Sequence, residues 1–119
     1  KIKHLGFVQP KDLGQYLDQV GGFILPSHFE PWGVVVHEMA ILGLPMLCSN
    51  AVGAATRFLE EGQNGYSFPP EDKAAIKVVL KKLMQATPKE LQQMGQHSKD
   101  LAASLTPKTW AATLLQAVK

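Results

Sequence analysis

The sequence is poor in several features that would assign it to a function class at once. It has one cysteine in 119 residues, so no internal disulfide can form, which favours a reducing compartment and predicts a cytoplasmic protein. No apolar run approaches the roughly 18 residues that a membrane-spanning helix needs. The 12 basic and 10 acidic side chains leave a net charge of +2 without a basic stripe, and this excludes nucleic acid as the expected partner.

Residues that bind metals or act as nucleophiles are also few. His28, His37 and Cys48 match no standard zinc spacing, so we expect no metal site. Neither a Gly-x-Ser-x-Gly turn nor a phosphate-loop lysine motif is present. The chain begins without Met and without the pattern of a signal peptide, and we expect it to be one part of a longer protein.

Short apolar runs alternate with helical patterns over the first 70 residues. The predicted strands are 4–8, 22–26, 45–48 and 65–68, and the predicted helices between them are 12–20, 34–42 and 56–61. The rest of the pattern is helical, and Thr87-Pro88-Lys89-Glu90 predicts a helix start with a capping box. The alternation predicts an α/β fold in which residues 1–119 form one domain, a three-layer sandwich with a partial Rossmann-like parallel sheet of about four strands.

The loop after the second predicted strand contains the residues best suited to bind a ligand. Ligands bind beyond the carboxyl ends of the strands in such sheets. Gly33 has no side chain, so a ligand can approach its backbone, and the helix start that follows offers free N–H groups that suit a phosphate. Glu38, about one turn into that helix, can accept bonds from two ribose hydroxyls, while Glu30 would lie nearer to whatever is attached to the phosphates.

These residues leave two alternatives open. An acidic residue near a helix start is often only a partner of the helix dipole, so the glutamates need not bind a ligand. Val34-Val35-Val36 is a run of three β-branched residues, which weakens a helix and could form a strand instead. The continuation from Met39 to Gly43 favours the helix.

A longer pattern around this loop resembles a known family. The matching segments are Pro26-Ser27, Glu30-Pro31-Trp32-Gly33, Glu38 and Gly43-Leu44-Pro45, followed by Ser49–Gly53 and Gly62–Tyr66. Together they resemble the Glu-x7-Glu region, and the two landmarks after it, of retaining GT-B glycosyltransferases of the group 1 or family 4 type. The resemblance covers residues from about 5 to 70 and implies the C-terminal, donor-binding half of such an enzyme.

The resemblance implies roles for single residues. Glu30 matches the first glutamate, which faces the donor sugar, and is the implied catalytic residue. Glu38 matches the second glutamate, the ligand of the ribose. The other implied donor-binding residues act through backbone amides or shape the loop beside the nucleotide; they are Gly33, Val34, Val35, Pro26 and Ser27.

The implied function belongs to the longer protein. It is the transfer of a hexosyl group from a UDP- or GDP-sugar to a glycan or lipid-linked acceptor, with retention at the anomeric carbon. The resemblance implies no metal and no cofactor, because the helix start and protein cations would stabilise the leaving diphosphate. The alternatives are a non-catalytic Rossmann-like module, a GT-B sugar-nucleotide epimerase, and a phosphorylase, for which no pyridoxal phosphate lysine is evident.

The sequence also departs from the family. Ala54-Ala55-Thr56 follows Gly53 where the family often has Gly-x-x-Glu, and His37 replaces an apolar or small residue. We expect the family's basic pair for the diphosphate and its acceptor domain to lie upstream of residue 1. The family strand order 3-2-1-4-5-6 would then leave strand 5–8 without its neighbours. That strand would pair beside Phe23–Leu25 or with another chain, so we predict self-association.

Overall fold

A parallel sheet of three strands organises the fold. The computed structural model describes residues 1–118, in which β1 (Phe23–Leu25), β2 (Met46–Ser49) and β3 (Gly65–Phe68) are hydrogen-bonded in the order β1-β2-β3. Ile24 is in register with Leu47, and Leu47 with Tyr66. Because all three strands are parallel, their carboxyl ends lie at one edge of the sheet, where the loops after Leu25 and Ser49 meet.

Helices connect and follow the strands. A 3-10 turn (Pro10–Asp12) precedes α1 (Gly14–Leu17), α2 (Val34–Ile41), α3 (Ala55–Phe58), α4 (Lys73–Gln85), α5 (Pro88–Ala103) and α6 (Pro107–Ala117). The capping box predicted at Thr87 is confirmed, since its hydroxyl accepts from the Glu90 amide and the Glu90 carboxylate accepts from the Thr87 amide. No helix within residues 1–118 is long and apolar enough to cross a membrane.

The side chains of β2 alternate between two apolar clusters. Met46 and Cys48 pack with buried residues of α2, α3 and α5 on one face of the sheet. Leu47 packs with Phe68 and with Val79 of α4 on the other face. All four residues of β2 are buried, which is typical of a strand at the centre of a covered parallel sheet. The predicted three-layer α/β sandwich is therefore confirmed.

The strand predicted at 4–8 is wrong. Residues 1–9 form no strand, and the side chain of Phe7 is 84% exposed. Gly6 has φ +70°, a left-handed conformation that interrupts an extended chain, and open space surrounds it. The sheet therefore has three strands instead of about four, and the predicted pairing beside Phe23–Leu25 is also wrong. Self-association stays a prediction.

Two helices are shorter than the periodicity suggested. Of the segment predicted as helix 12–20, only the four residues of α1 are α-helical, and Asp12 is the last residue of the preceding 3-10 turn. Helix α1 begins at Gly14, a poor helix former. The helix predicted at 56–61 is α3, which ends at Phe58 because Leu59 is extended. The helix predicted at 34–42 agrees with α2, and Gly43 follows its end with φ +77°.

Candidate functional site

Helix α2 begins at the carboxyl edge of the sheet. Its N-cap, Gly33, has φ +90° and ψ 72°, a conformation that glycine adopts readily. The first bond of the helix runs from the Val36 amide to the Gly33 carbonyl at 3.0 Å. Among the residues described, the amides of Val34 and Val35 have no hydrogen-bond acceptor, as expected for a first helical turn. The helix start thus offers two donors at the positive end of the dipole, and the strand alternative for this stretch is excluded.

The loop before α2 is held by backbone contacts to the loop after β2. The Glu30 amide donates to the Ala51 carbonyl at 3.1 Å, and the Glu30 carbonyl accepts from the Gly53 amide at 3.0 Å. The Trp32 carbonyl accepts from the Ala54 amide at 2.7 Å. These bonds attach the segment containing Glu30 to the neighbouring strand's loop, so its position depends on tertiary contacts as well as on local sequence.

Two glycines permit close approaches in this region. A Cβ atom on Gly53 would lie 2.1 Å from the Pro31 carbonyl oxygen, so only glycine fits there without a backbone shift. A Cβ atom on Gly33 would lie 3.0 Å from Cγ of Glu30. The half-buried side chain of Glu30 therefore packs directly against the start of α2.

Ser27 is fixed through its backbone. The buried hydroxyl of Ser49, the last residue of β2, donates to the Ser27 carbonyl at 2.6 Å. The same Ser49 oxygen accepts from the Ala51 amide at 3.3 Å. The buried Ser49 side chain thus bonds the loop after β1 to the loop after β2. Pro26 is the first residue of the loop after β1, and it is exposed.

Glu38 lies on the solvent-facing side of α2. It is exposed, and it is four residues after Val34, whose side chain is 62% exposed, so both occupy one helix face. Side chains of a helix point back toward its N-terminus, which directs Glu38 toward the turn that holds the free amides. The carboxylate has no hydrogen-bond or ion-pair partner within residues 1–118. It is free to accept hydrogen bonds from a ligand.

Neither Glu30 nor Glu38 lines any of three clefts in the described part of the chain. Clefts of about 710, 310 and 250 Å³ are lined by residues of α4 and α5, of β1 with α4, and of the segments around α3. The convergence of Glu30 and Glu38 on one ligand therefore stays a prediction. What the structure brings together is the Glu30 side chain and the helix start at Gly33.

An aromatic cluster beside the helix start was not found from the sequence. His37 stacks on Phe58 with ring centroids 4.5 Å apart, and its Nε2 lies 3.3 Å from the Ala102 carbonyl oxygen. Trp32 meets the same Phe58 edge-on at 6.3 Å. The only sequence signal was a histidine within an apolar helix. These three aromatic residues come from separate elements, and their contact is a tertiary feature.

The possible metal ligands in the described residues are not grouped, and the thiol of Cys48 is buried. No group of three histidine, cysteine, aspartate or glutamate residues in the described part of the chain could hold a metal ion. Cys48 is buried in β2, and desolvation raises the pKa of its thiol to about 12, so it is protonated at neutral pH. The groups at the carboxyl edge of the sheet include the free amides at the start of α2 and the carboxylates of Glu30 and Glu38.

A parallel α/β sheet with a helix that starts at its carboxyl edge defines a Rossmann-like domain. The family described as "Glycosyl transferases group 1" matches residues 1–101. The chain belongs to this family, and its fold is of the GT-B type.

Individual relatives agree with this assignment. The chain is 30% identical over 82 residues to glycogen synthase from Mycobacterium tuberculosis, covering 69% of this chain and 20% of that protein. It is 28% identical over 100 residues to the D-rhamnosyltransferase WbpZ from Pseudomonas aeruginosa, covering 82% of this chain and 26% of that protein. The solved sucrose-phosphate synthase from Thermosynechococcus elongatus superposes with a TM-score of 0.76 at 26% identity, covering 95% of this chain. The chain corresponds to 27% of that structure, so it spans between 20% and 27% of the length of these three relatives.

Proposed function

We propose that this chain is the donor-binding part of a retaining, family 4 type glycosyltransferase. The complete protein would transfer a hexosyl group from a UDP- or GDP-sugar to a glycan or lipid-linked acceptor. One observation carries the proposal: α2 starts at the carboxyl edge of a parallel sheet with the Val34 and Val35 amides free and with Glu30 packed against its N-cap, Gly33. Family membership and the D-rhamnosyltransferase relative support sugar transfer as the activity.

The amides at the helix start would bind the diphosphate. Two adjacent N–H donors at the positive end of a helix suit an oxyanion. Gly33 leaves the backbone accessible, and Pro26 and Ser27 would shape the loop beside the nucleotide. During transfer, the bond between the anomeric carbon and the diphosphate oxygen breaks and its electron pair stays on that oxygen. The N–H groups of Val34 and Val35 would stabilise the resulting negative charge.

The two glutamates would contact different parts of the donor. Glu38, directed toward the helix start, would accept hydrogen bonds from the ribose hydroxyls. Glu30 would face the sugar beyond the diphosphate, because its side chain packs against Gly33, the residue directly before the free amides. The acceptor hydroxyl that replaces the diphosphate would be bound by a further domain of the complete protein.

Calorimetric titration of the chain with UDP, GDP and ADP tests the donor site. We expect saturable binding of at least one nucleotide at or below about 1 mM. Glu38→Ala should weaken it about tenfold or more, because the hydrogen bonds to a charged carboxylate are lost. Asp18→Ala is the matched control, since it removes an exposed carboxylate at the end of α1, outside the loops after β1 and β2, and should leave the affinity unchanged.

Two outcomes would contradict the proposal. One is the absence of saturation by all three nucleotides at millimolar concentration, which would favour a non-catalytic module. The other is equal weakening by Asp18→Ala and Glu38→Ala, which would show that the loss of affinity is not specific to the ribose contact of Glu38.

A further inference from the structure

His37 joins α2 to the end of α5. Its Nε2 lies 3.3 Å from the carbonyl oxygen of Ala102, and because a carbonyl can only accept, Nε2 carries the proton in this bond. Ala102 lies in the last turn of α5, where carbonyls lack partners within the helix. The same oxygen also accepts from the Leu105 amide at 3.1 Å. Removal of the imidazole would therefore not leave it without a hydrogen bond.

Phe58 contacts two aromatic residues at the start of α2. It is fully buried, with His37 stacked on its face at an interplanar angle of 12° and Trp32 against its edge at 75°. Trp32 immediately precedes the N-cap Gly33, and His37 lies in the first turns of α2. The loop that contains Glu30 and the helix that contains Glu38 thus rest on the same ring.

The two contacts of His37 depend on the angle between the groups that make them. Val36 and Ala40 bury apolar side chains in the core, and such packing has no angular preference of its own. The hydrogen bond and ring stack of His37 depend on the rotation of α2 about its axis. Successive helical residues are about 100° apart, so a rotation that moved His37 from Ala102 would also turn Glu38.

We propose that His37 is a positioning residue for the donor site: its bond to Ala102 and its stack on Phe58 set the rotation of α2, and thereby the direction of Glu38 and of the free amides. This inference rests on the proposed function, because the site positioned in this way is the proposed nucleotide site. His37 itself touches no ligand in this scheme.

Three variants separate the contributions. His37→Phe keeps a ring that can stack on Phe58 but has no hydrogen-bond donor. His37→Gln keeps a donor of similar reach but has no ring. Thr87→Ala removes the α5 capping box and serves as the control for a general loss of stability, since it changes no contact of α2.

Two measurements on these variants decide the inference. Residual dipolar couplings of the α2 amides report the orientation of the helix relative to the sheet, and titration with UDP and GDP reports the affinity. We expect His37→Phe to change the couplings and to raise the Kd about three- to tenfold, as for a lost hydrogen bond. His37→Gln keeps the donor but loses the stack on Phe58, so it should change both less than His37→Phe does, and Thr87→Ala should lower the melting temperature with both unchanged.

The outcomes distinguish the two proposals. If the unmodified chain binds no nucleotide, the proposed function fails, while the couplings still decide whether His37 orients α2. Unchanged couplings in His37→Phe would overturn the positioning role even if nucleotide binding is normal. Changed couplings with an unchanged Kd would overturn its link to the donor site.

Discussion

Gly53→Ala should separate the two loops that build the candidate site. The added Cβ would lie 2.1 Å from the carbonyl oxygen and 2.9 Å from the carbonyl carbon of Pro31. Both are backbone atoms, so no side-chain rotation can relieve the overlap. Gly53 does not have a positive φ, so the loss of stability in Gly53→Ala comes from this contact and not from backbone strain. The loop containing Glu30 must move away.

The magnitude follows from the contacts that such a movement breaks. Two of the three backbone hydrogen bonds that join the loops are made by Gly53 and its neighbour: the Gly53 amide donates to the Glu30 carbonyl at 3.0 Å, and the Ala54 amide donates to the Trp32 carbonyl at 2.7 Å. Each contributes about 1 kcal/mol, and the overpacking itself costs about 1–3 kcal/mol. The lower entropy of the unfolded alanine chain offsets about 0.5 kcal/mol of this. We expect a net loss of about 3 kcal/mol, which lowers the melting temperature by about 10 °C in a domain of this size.

Thermal unfolding followed by circular dichroism measures this effect. Gly21→Ala is the matched control, because nothing lies within 4 Å of the Cβ position there and its φ is ordinary. That variant should keep or slightly raise the melting temperature. A Gly53→Ala protein that melts within about 2 °C of the unmodified chain would refute the reasoning, since it would correspond to less than about 1 kcal/mol.

Three further predictions concern single side chains. Cys48, whose thiol pKa is raised to about 12 by burial, should not react with a thiol reagent at pH 8 until denaturant is added; rapid labelling of the native chain would contradict its burial. Hydrogen bonds from the Thr87 backbone and side chain lower the pKa of Glu90 below its ordinary value of 4.5, so its contribution to stability is present above that pH and is lost as the pH falls through the lowered value. The difference in melting temperature between the unmodified chain and Glu90→Ala should shrink accordingly from pH 7 to pH 3, and a constant difference would argue against the ionised cap. Asn64 is fully buried and makes three hydrogen bonds, so Asn64→Ala should lower the free energy of unfolding, measured in urea, by about 3 kcal/mol. Asn50 is exposed, so Asn50→Ala should lower it little.

Prediction from the sequence succeeded where the structure depends on local chemistry. The strands predicted to end at residues 26, 48 and 68 end at Leu25, Ser49 and Phe68, each within one residue, since a buried parallel strand needs a continuous apolar segment. Gly33 marks the start of α2, and Thr87 caps α5, because both depend on conformations and bonds within a few residues.

It failed where the outcome depended on a partner. The segment 4–8 is as apolar as a strand, yet the backbone turns at Gly6, and no neighbouring strand in residues 1–118 bonds to it. Helical periodicity at 12–20 was real, but a short helix with few tertiary contacts does not extend along its whole pattern.

The amino-acid sequence by itself determined the α/β class, the helix start at Gly33 and the two glutamates that flank it, because periodicity, glycine and capping act locally. Only the tertiary structure decided that Gly53 packs on Pro31, that Ser49 holds the loop of Ser27, and that His37 reaches α5. Those contacts join residues that are distant in the chain, and their distances follow from how the sheet and helices pack, which no local pattern specifies.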